Sequence, residues 1–254
     1  AARSKELVVA TWNVRTMSER GTNGPWHVED LLMFAVKYEC DFIAIQETRH
    51  DRKTTIQAPA AGYIVHCSGH CDGDGGKPGI LRVGLAVRES IVRALGPDGI
   101  VPKHINARLL KVRVIFKHRA ATTFIVGYAP TETAATCHKS KFCKELRSTV
   151  VEVSASDHLS LMMDANARTG GRGEGGGLGD VWVLGPCGRD TLNDNGLRLL
   201  ACAAKYKLSI VNTIFSTPKR GRISDAFTYE RPKKSHRWRL DYILVRQHDH
   251  RLVR

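Results

Sequence analysis

Short apolar runs alternate along the chain with longer segments whose apolar residues recur at helical spacing. From Arg108 to Lys117 the side chains alternate between apolar and mostly basic, which is typical of a half-buried strand. We predict helices at 29–39, from Phe142 to Val153 and from Leu197 to Ala204. The remaining apolar runs predict strands at 7–12, 42–46, 123–127, 159–163, 208–211, 226–229 and 242–245.

The order of these elements indicates the fold class. Strand–helix–strand units and hairpins occur in one chain, without a clear internal repeat. Because each sheet must cover an apolar face, we predict an α+β fold with two packed mixed sheets and helices on their outer faces. With 254 residues, 42% of them hydrophobic, the chain is long enough to bury one large core. We therefore expect residues 1–254 to form a single domain.

Five of the predicted strands carry a polar side chain at one end. A buried strand has no reason to end repeatedly on such groups, which are costly to desolvate unless they are paired or bind a metal ion. Any one of them alone would be an ordinary strand cap. Together they predict a shared rim at which a cation and a polar substrate bind. The five residues are Asn13, Glu47, Tyr128, Asp164 and Asp241.

The net charge favours a polyanionic partner. The chain has 39 Lys and Arg against 25 Asp and Glu, a formal charge of +14, which attracts nucleic acid; simple solubility is the alternative. Basic residues interleaved with aromatic ones near the end of the chain predict a DNA-binding surface, although Phe227 and Trp238 could instead pack in the core. Its predicted members are Arg220, Arg222, Arg231, Lys233, Lys234, Arg237 and Trp238.

The cysteines favour a reducing compartment. The chain has seven, an odd number without a C-x-x-C pair, so we expect an intracellular, nuclear protein without a disulfide framework. The cluster from His66 to Cys71 is too compact for the usual zinc spacing, and we favour a surface loop over 66–79. No apolar run approaches the ~20 residues that span a bilayer. Because the chain starts at Ala1 without an initiator Met, we expect it to be part of a longer protein.

The polar strand ends suit the hydrolysis of a phosphodiester, which needs a base for the attacking water, a cation and hydrogen-bond donors. Oxygen ligands favour Mg²⁺ or Mn²⁺ over zinc, and Glu47 is the natural metal carboxylate. Asp164 could hold and deprotonate the water, while Asn13 and Asn166 fix this carboxylate and the phosphate. Tyr128 offers a phenol as a donor to the phosphate.

One further pair completes the predicted chemistry. Asp241 is an acceptor that could orient a histidine, as an outer carboxylate often does. The candidate partner is His250, whose imidazolium could stabilise the charge that develops on the phosphorus centre. Each residue could equally be a satisfied polar group at the end of a strand.

These strings together resemble the exonuclease–endonuclease–phosphatase superfamily, and in particular the apurinic-endonuclease-like domains of non-LTR (LINE-type) retrotransposons and relatives such as craniofacial development protein 2. The resemblance covers nearly the whole chain, with its motifs in the family's order. The motifs are Thr11 to Met17, Ile45 to Thr48, Gly127 to Thr131, Asp164 to Ala167, Asn193 to Gly196, Trp238 to Tyr242, and Asp249-His250.

The resemblance implies a DNase I-like four-layer α/β sandwich, C-terminally shortened, and a monomeric endonuclease that nicks one DNA strand to leave a 3′-hydroxyl. It also implies that the nick primes reverse transcription by a domain outside this chain. By the same likeness, Asn13, Glu47, Tyr128, Asp164, Asn166, Asp241, Asp249 and His250 fall on active-site positions. Asp249 would be a second carboxylate near the metal ion.

Two departures from the family pattern keep other functions open. Arg15 stands where repair enzymes of the family carry an acid, which weakens a lesion-repair interpretation. Asp249 follows Asp241 by only eight residues, and the strand that begins at Asp241 travels about 16 Å away from the site. His250 could therefore miss the site. The alternatives are a catalytically impaired DNA-binding remnant and a phosphatase that acts on small phosphoesters.

Overall fold

The structure of the protein is a computed structural model. It describes residues 6–14, 26–48, 54–69, 81–172, 177–178, 182–186, 191–214, 228–230 and 237–253. The chain divides into two compact units, residues 1–121 and residues 122–254. In the described part of the chain, no helix is long and apolar enough to cross a membrane.

The first unit contains a five-stranded mixed sheet. Its strands are β1 (Val9–Asn13), β2 (Phe42–Gln46), β3 (Thr54–Ala58), β4 (Tyr63–Cys67) and β5 (Val83–Arg88). The spatial order is β1-β2-β5-β4-β3. Only β1 and β2 run parallel within this sheet, and the helix α1 (Trp26–Val36) lies between them in sequence. This parallel pair brings the carboxyl ends of β1 and β2 to one edge.

Helix α1 buries its apolar side in the core of this unit. Leu32 and Val28 are buried in one cluster with Ile43 and Ile45 of β2 and Val65 of β4. β2 is buried along its whole length, which explains why its sequence is a continuous apolar run. The unit continues with α2 (Glu89–Leu95) and an antiparallel hairpin of β6 (Ile100–Asn106) and β7 (Leu109–Val114).

The second unit begins with β8 (Thr122–Tyr128), α3 (Thr136–Val151), β9 (His158–Asp164) and α4 (Asp194–Lys205). It continues with β10 (Leu208–Ile210), β11 (Tyr229–Glu230), β12 (Arg237–Trp238) and β13 (Asp241–Arg246). Within this unit the strands of the second mixed sheet run in the order β10-β13-β9-β8. β8 and β9 are parallel, whereas β13 is antiparallel to both β9 and β10. β11 and β12 form a separate small hairpin.

The segment between α3 and β9 is held by Arg246 at the end of β13. Its guanidinium donates hydrogen bonds to the backbone carbonyls of Val153, Ser154, Ala155 and Asp157, at 2.9 to 3.1 Å. These carbonyls lie in the loop after α3, and backbone carbonyls outside regular elements need such partners. The end of the sheet opposite Asp164 is therefore occupied by structural contacts.

The prediction of an α+β chain with two mixed sheets and flanking helices is confirmed. The predicted loop over 66–79 is wrong at its start, because His66 and Cys67 belong to β4. Cys67 is fully buried, and burial raises the pKa of its thiol to about 12. Cys67 therefore belongs to the core of this sheet and not to a surface loop. Residues 70–80 of this segment lie outside the described residues.

Candidate active site

The first group of predicted site residues lies at the carboxyl ends of β1 and β2. Asn13 is the last residue of β1 and pairs in register with Gln46, so Glu47 follows immediately at the same edge. The Asn13 Nδ2 donates a 3.0 Å hydrogen bond to the Glu47 Oε1. Two residues before Asn13 in β1, the Thr11 Oγ1 accepts a 3.0 Å hydrogen bond from the Gln46 Nε2. The structure thus brings Asn13 and Glu47 together as predicted.

The second group forms a single row across three neighbouring strands. Asp241, the first residue of β13, lies opposite Asp164 at the end of β9. Asp164 in turn pairs in register with Tyr128 at the end of β8. Side chains at paired positions of adjacent strands point to the same side of a sheet. Tyr128, Asp164 and Asp241 are all buried, and the sheet places them side by side at one edge.

Two of the predicted residues have backbones in the left-handed region. The φ angle is 58° at Glu47 and 46° at Asn166, two of four such non-glycine residues in the described chain. Glu and Asn pay for this conformation, which persists only where the surrounding structure determines it. Glu47 directly follows β2, and Asn166 follows β9 after one intervening residue. Each therefore lies where the chain leaves its strand.

Asn166 is fixed against the row of strand ends by two hydrogen bonds. Its backbone N–H donates to the Asp164 Oδ1 at 2.8 Å, and its side-chain Nδ2 donates to the carbonyl of Ala129 at 3.0 Å. The first bond orients the Asp164 carboxylate, and the second ties the loop after β9 to the residue that follows β8. Asn166 therefore belongs to the same arrangement as Tyr128, Asp164 and Asp241.

The pKa of Asp241 is shifted by its buried place in the row, beside Asp164. Burial, and secondly the charge of Asp164, raises the pKa of Asp241 to about 8. The Asp241 Oδ1 is buried and has no hydrogen-bond partner among the described residues. At neutral pH the Asp241 carboxyl is therefore mainly protonated. A protonated carboxyl group beside a second carboxyl group is an arrangement that suits acid–base chemistry.

Asp249 and His250 do not join this row. β13 runs from Asp241 beside Asp164 to Val245 beside Ser160, and a 3₁₀ helix follows over Gln247–Leu252. There Asp249 Oδ1 lies 2.9 Å from the Nδ1 of His158, the first residue of β9. The length of β9, about 20 Å, separates this contact from Asp164. The placement of Asp249 and His250 at the Asp164 end is thus corrected, because the short connection cannot return to that end.

Most of the predicted DNA-binding surface, namely Arg220, Arg222, Arg231, Lys233 and Lys234, lies outside the described residues. Arg237 and Trp238 form β12, with Arg237 exposed and Trp238 half-buried. The Trp238 ring stacks on Tyr229 at 5.8 Å between centroids, with 7° between the planes.

Arg168 lies against the same ring, with its guanidinium carbon 5.8 Å from the centre of the Trp238 ring. The sequence interpretation missed this contact. The only sequence signal is the position of Arg168, two residues after Asn166 in the loop that follows β9. The contact places a cation and two aromatic rings near the start of β13, since Trp238 precedes Asp241 by three residues.

The donor atoms of the first group suit a hard divalent cation. Asn13 and Glu47 offer carboxamide and carboxylate oxygens, the ligand type that Mg²⁺ and Mn²⁺ prefer. No group of three or more His, Cys, Asp and Glu side chains in the described ranges is arranged to hold a metal ion. Asn13 and Glu47 therefore suit a divalent ion by the chemistry of their oxygen atoms, and Glu47 is the principal carboxylate.

The family of the chain follows from a comparison with models of known protein families. Residues 10–254 match the endonuclease/exonuclease/phosphatase family. The chain belongs to this family. Its members are hydrolases, both nucleases and phosphatases, and generally use divalent metal ions. No curated protein sequence matches the chain.

Solved structures of this family share the fold. An AP endonuclease from Archaeoglobus fulgidus aligns with a TM-score of 0.59 and 15% identity, over 96% of this chain and 88% of that chain. The 3′ phosphatase NExo from Neisseria, bound to a product DNA hairpin, aligns with a TM-score of 0.58 and 15% identity, over 96% of this chain and 88% of that chain. AP endonuclease LMAP from Leishmania major aligns with a TM-score of 0.58 and 12% identity, over 93% of this chain and 78% of that chain. The two mixed sheets with flanking helices are thus the DNase I-like fold.

Proposed function

We propose that the chain is a Mg²⁺-dependent endonuclease that nicks one strand of DNA and leaves a 3′-hydroxyl. The observation that carries this proposal is the row of Tyr128, Asp164 and Asp241 on three neighbouring strands, with Asn166 bonded to Asp164. A buried carboxylate beside a neutral carboxylic acid and a phenol can take up, hold and donate protons around a phosphate.

Each residue would have a definite part in the hydrolysis. Asp164 would accept a proton from the water whose oxygen attacks phosphorus, and Asn166 would keep this carboxylate oriented. Tyr128 would donate a hydrogen bond to a phosphoryl oxygen. The bond from phosphorus to the 3′ oxygen breaks, and this oxygen takes up a proton to become the 3′-hydroxyl. The phosphate remains on the 5′ end of the other fragment.

Asn13 and Glu47 would hold the divalent ion. When bound, such an ion supplies Lewis-acid polarisation of a phosphoryl oxygen and neutralises charge that develops there. The hydrogen bond from Asn13 to Glu47 keeps the Glu47 carboxylate in one orientation, and the left-handed backbone of Glu47 aims it. Asp241 would hold the proton of the carboxyl pair at neutral pH.

DNA is the proposed substrate because of charge and aromatic surface. The net charge is +14, and Trp238, Tyr229 and Arg168 form a stacked aromatic and cationic group. Such groups bind nucleic acids by stacking on bases and by contacts with phosphates. The resemblance to non-LTR retrotransposon domains further supports action as a monomer in the nucleus. There the nick would prime a reverse transcriptase in a longer protein.

A supercoiled plasmid tests this proposal directly. With Mg²⁺, the wild-type protein should convert supercoiled plasmid to the nicked circle, and a DNA polymerase should extend the nick because its 3′ end is a hydroxyl. The Asp164→Asn variant keeps the size of the side chain but loses the base, so its nicking should fall at least ~100-fold. Equal activity of the two proteins would reject the proposal.

A second function is favoured by one observation, the bond between Asp249 and His158 at the far end of β9. If a histidine beside Asp241 is indispensable, the chain would bind DNA without cutting it. DNA binding in the absence of nicking with either Mg²⁺ or Mn²⁺ would support this impaired form. Turnover of a soluble phosphomonoester without any nicking would support a phosphatase instead.

A further inference from the structure

The start of helix α4 is joined to the loop after β9 by a buried side chain. Asn195 is 7% exposed, and its Nδ2 donates to two backbone carbonyls, those of Pro130 at 2.9 Å and Asn166 at 3.1 Å. These carbonyls belong to the segments that follow the parallel strands β8 and β9. A single amide group therefore connects the segments after β8 and β9, the strands that end in Tyr128 and Asp164.

The residue that caps α4, Asn193, contacts the same loop. The Asn193 side-chain Oδ1 accepts hydrogen bonds from the backbone N–H of Gly196 at 2.8 Å and of Arg168 at 2.9 Å. The first bond is an ordinary helix cap, but the second reaches outside the helix. The backbone N–H of Asn193 also donates to the Arg168 carbonyl at 3.2 Å. A Cβ atom at Gly196 would lie 1.9 Å from this carbonyl oxygen, so glycine permits the close approach.

The first residues of α4 are held by Glu132 and by an ion cluster around the buried Lys139. The Glu132 carboxylate accepts hydrogen bonds from the backbone N–H groups of Asp194 at 3.2 Å and Asn195 at 3.1 Å. Lys139, 5% exposed on α3, lies 3.2 Å from the Asp194 carboxylate and 3.7 Å from that of Glu132. Because the backbone on which Asn195 sits is fixed in this way, its side chain can determine the position of the loop.

The loop fixed by Asn195 carries the groups that bear on catalysis. The carbonyl that Asn195 binds belongs to Asn166, whose φ is 46° and whose own N–H donates to Asp164. A residue in the left-handed region returns to a relaxed conformation when its surroundings cease to hold it. Loss of the Asn195 amide would therefore displace both the Asn166 side chain and the orientation of the Asp164 carboxylate.

We propose that Asn195 is a positioning residue of the proposed nuclease, which acts on turnover by holding Asn166 and Asp164 in place. This inference rests on the proposed function. Asn195 faces the loop backbone rather than the substrate, so it should affect kcat and leave the KM for DNA nearly unchanged. A displacement of about 1 Å in a catalytic group can lower a rate by about 100-fold.

The test is the Asn195→Asp variant, which keeps the shape of the side chain and replaces the donor by an acceptor that faces two carbonyls. Nicking kinetics should show kcat reduced by about 100-fold with KM within about twofold of wild type. The matched control is Thr123→Val, which removes the buried bond from the Thr123 Oγ1 to Asp157 at the opposite end of β8. It should keep kcat within about twofold.

Amide hydrogen exchange provides a readout without catalysis. Exchange of the Asn166 and Arg168 amides should be at least about tenfold faster in Asn195→Asp than in Thr123→Val. If Asn195→Asp does not fold, Asn195→Ala receives the same measurements. Wild-type protein that fails to nick would reject the proposed function alone. Wild-type nicking with kcat retained in the Asn195 variant, or unchanged exchange at both amides, would overturn the positioning role.

Discussion

Asp241 lies directly opposite Asp164 on the neighbouring antiparallel strand. Burial, and secondly the neighbouring Asp164, raises the pKa of Asp241 to about 8. This relationship defines the chemical character of the proposed site, because it keeps a neutral carboxyl group beside that of Asp164.

Stability should respond to pH through Asp241. Between the ordinary aspartate value of 3.8 and about 8, the folded protein binds more protons at this group than the unfolded chain. The stabilising contribution is therefore complete below the lower value and is lost as pH rises through the upper one. The free energy of unfolding of wild type relative to Asp241→Asn should fall by up to about 1.4 kcal/mol per pH unit within this window.

Urea unfolding in EDTA at several pH values measures this difference. The Asn side chain resembles the protonated acid and does not titrate, so the two proteins should differ most at the alkaline end of the window. A difference that stays constant from about pH 5 to about pH 8 would contradict the buried carboxyl pair.

Trp238 should contribute to DNA affinity. Its ring stacks on Tyr229 and lies against Arg168, and Trp238→Ala removes the central member of this group. We expect the Kd for a short DNA to rise about tenfold, the typical effect of losing one stacked aromatic ring. Fluorescence anisotropy with a labelled oligonucleotide measures it. The control is Trp182→Ala, whose side chain is 61% exposed, and an equal effect of both substitutions would argue against a specific stacking role.

Gly196 should be intolerant of any side chain. In Gly196→Ala the Cβ would meet the Arg168 carbonyl oxygen at 1.9 Å, so the loop after β9 must move. We expect a loss of about 1–3 kcal/mol in the free energy of unfolding, together with reduced nicking. Gly62→Ala is a useful comparison, because Gly62 has a φ of 71° and nothing within 4 Å of its Cβ position. That variant should lose about 1 kcal/mol from its backbone conformation alone and keep its nicking rate.

His250 should be dispensable for nicking. The 3₁₀ helix that carries it follows β13 at the end remote from Asp164, where Asp249 contacts His158. We expect His250→Ala to change the nicking rate by less than about threefold, in a fold where a proton-transfer group contributes at least about 100-fold. A loss of that larger size, with unchanged urea unfolding, would mean that His250 reaches the reacting phosphate.

The sequence predicts much of this fold because its strands are short apolar runs with distinct ends. The whole of β2 is buried, and such a strand is visible as continuous apolar sequence. The polar residues after these runs lie at strand ends as predicted, which brings Asn13 beside Glu47 and sets Asp164 beside Asp241. Parallel pairing of β1 with β2 and antiparallel pairing of β9 with β13 bring these strand ends together.

Other features depend on tertiary geometry that no local pattern contains. The left-handed backbones of Glu47 and Asn166 follow from contacts with distant segments. In the sequence, Asn195 belongs to the motif Asn193 to Gly196, but nothing local indicates its two carbonyl partners, which lie 65 and 29 residues away. The motif Asp249-His250 matches the family pattern, yet the spacing from Asp241 determines where it lies. The position of this motif in the fold therefore depends on the length of chain before it as well as on its residues.

The most direct test of this account is the rate of Mg²⁺-dependent plasmid nicking by wild type, Asp164→Asn and Glu47→Gln, with Thr123→Val as the folding control. We predict that the wild type and Thr123→Val nick at similar rates. The nicking rates of Asp164→Asn and Glu47→Gln should each fall at least ~100-fold, because the first lacks the base and the second lacks the principal metal carboxylate. Nicking by Asp164→Asn at the wild-type rate would contradict the central claim.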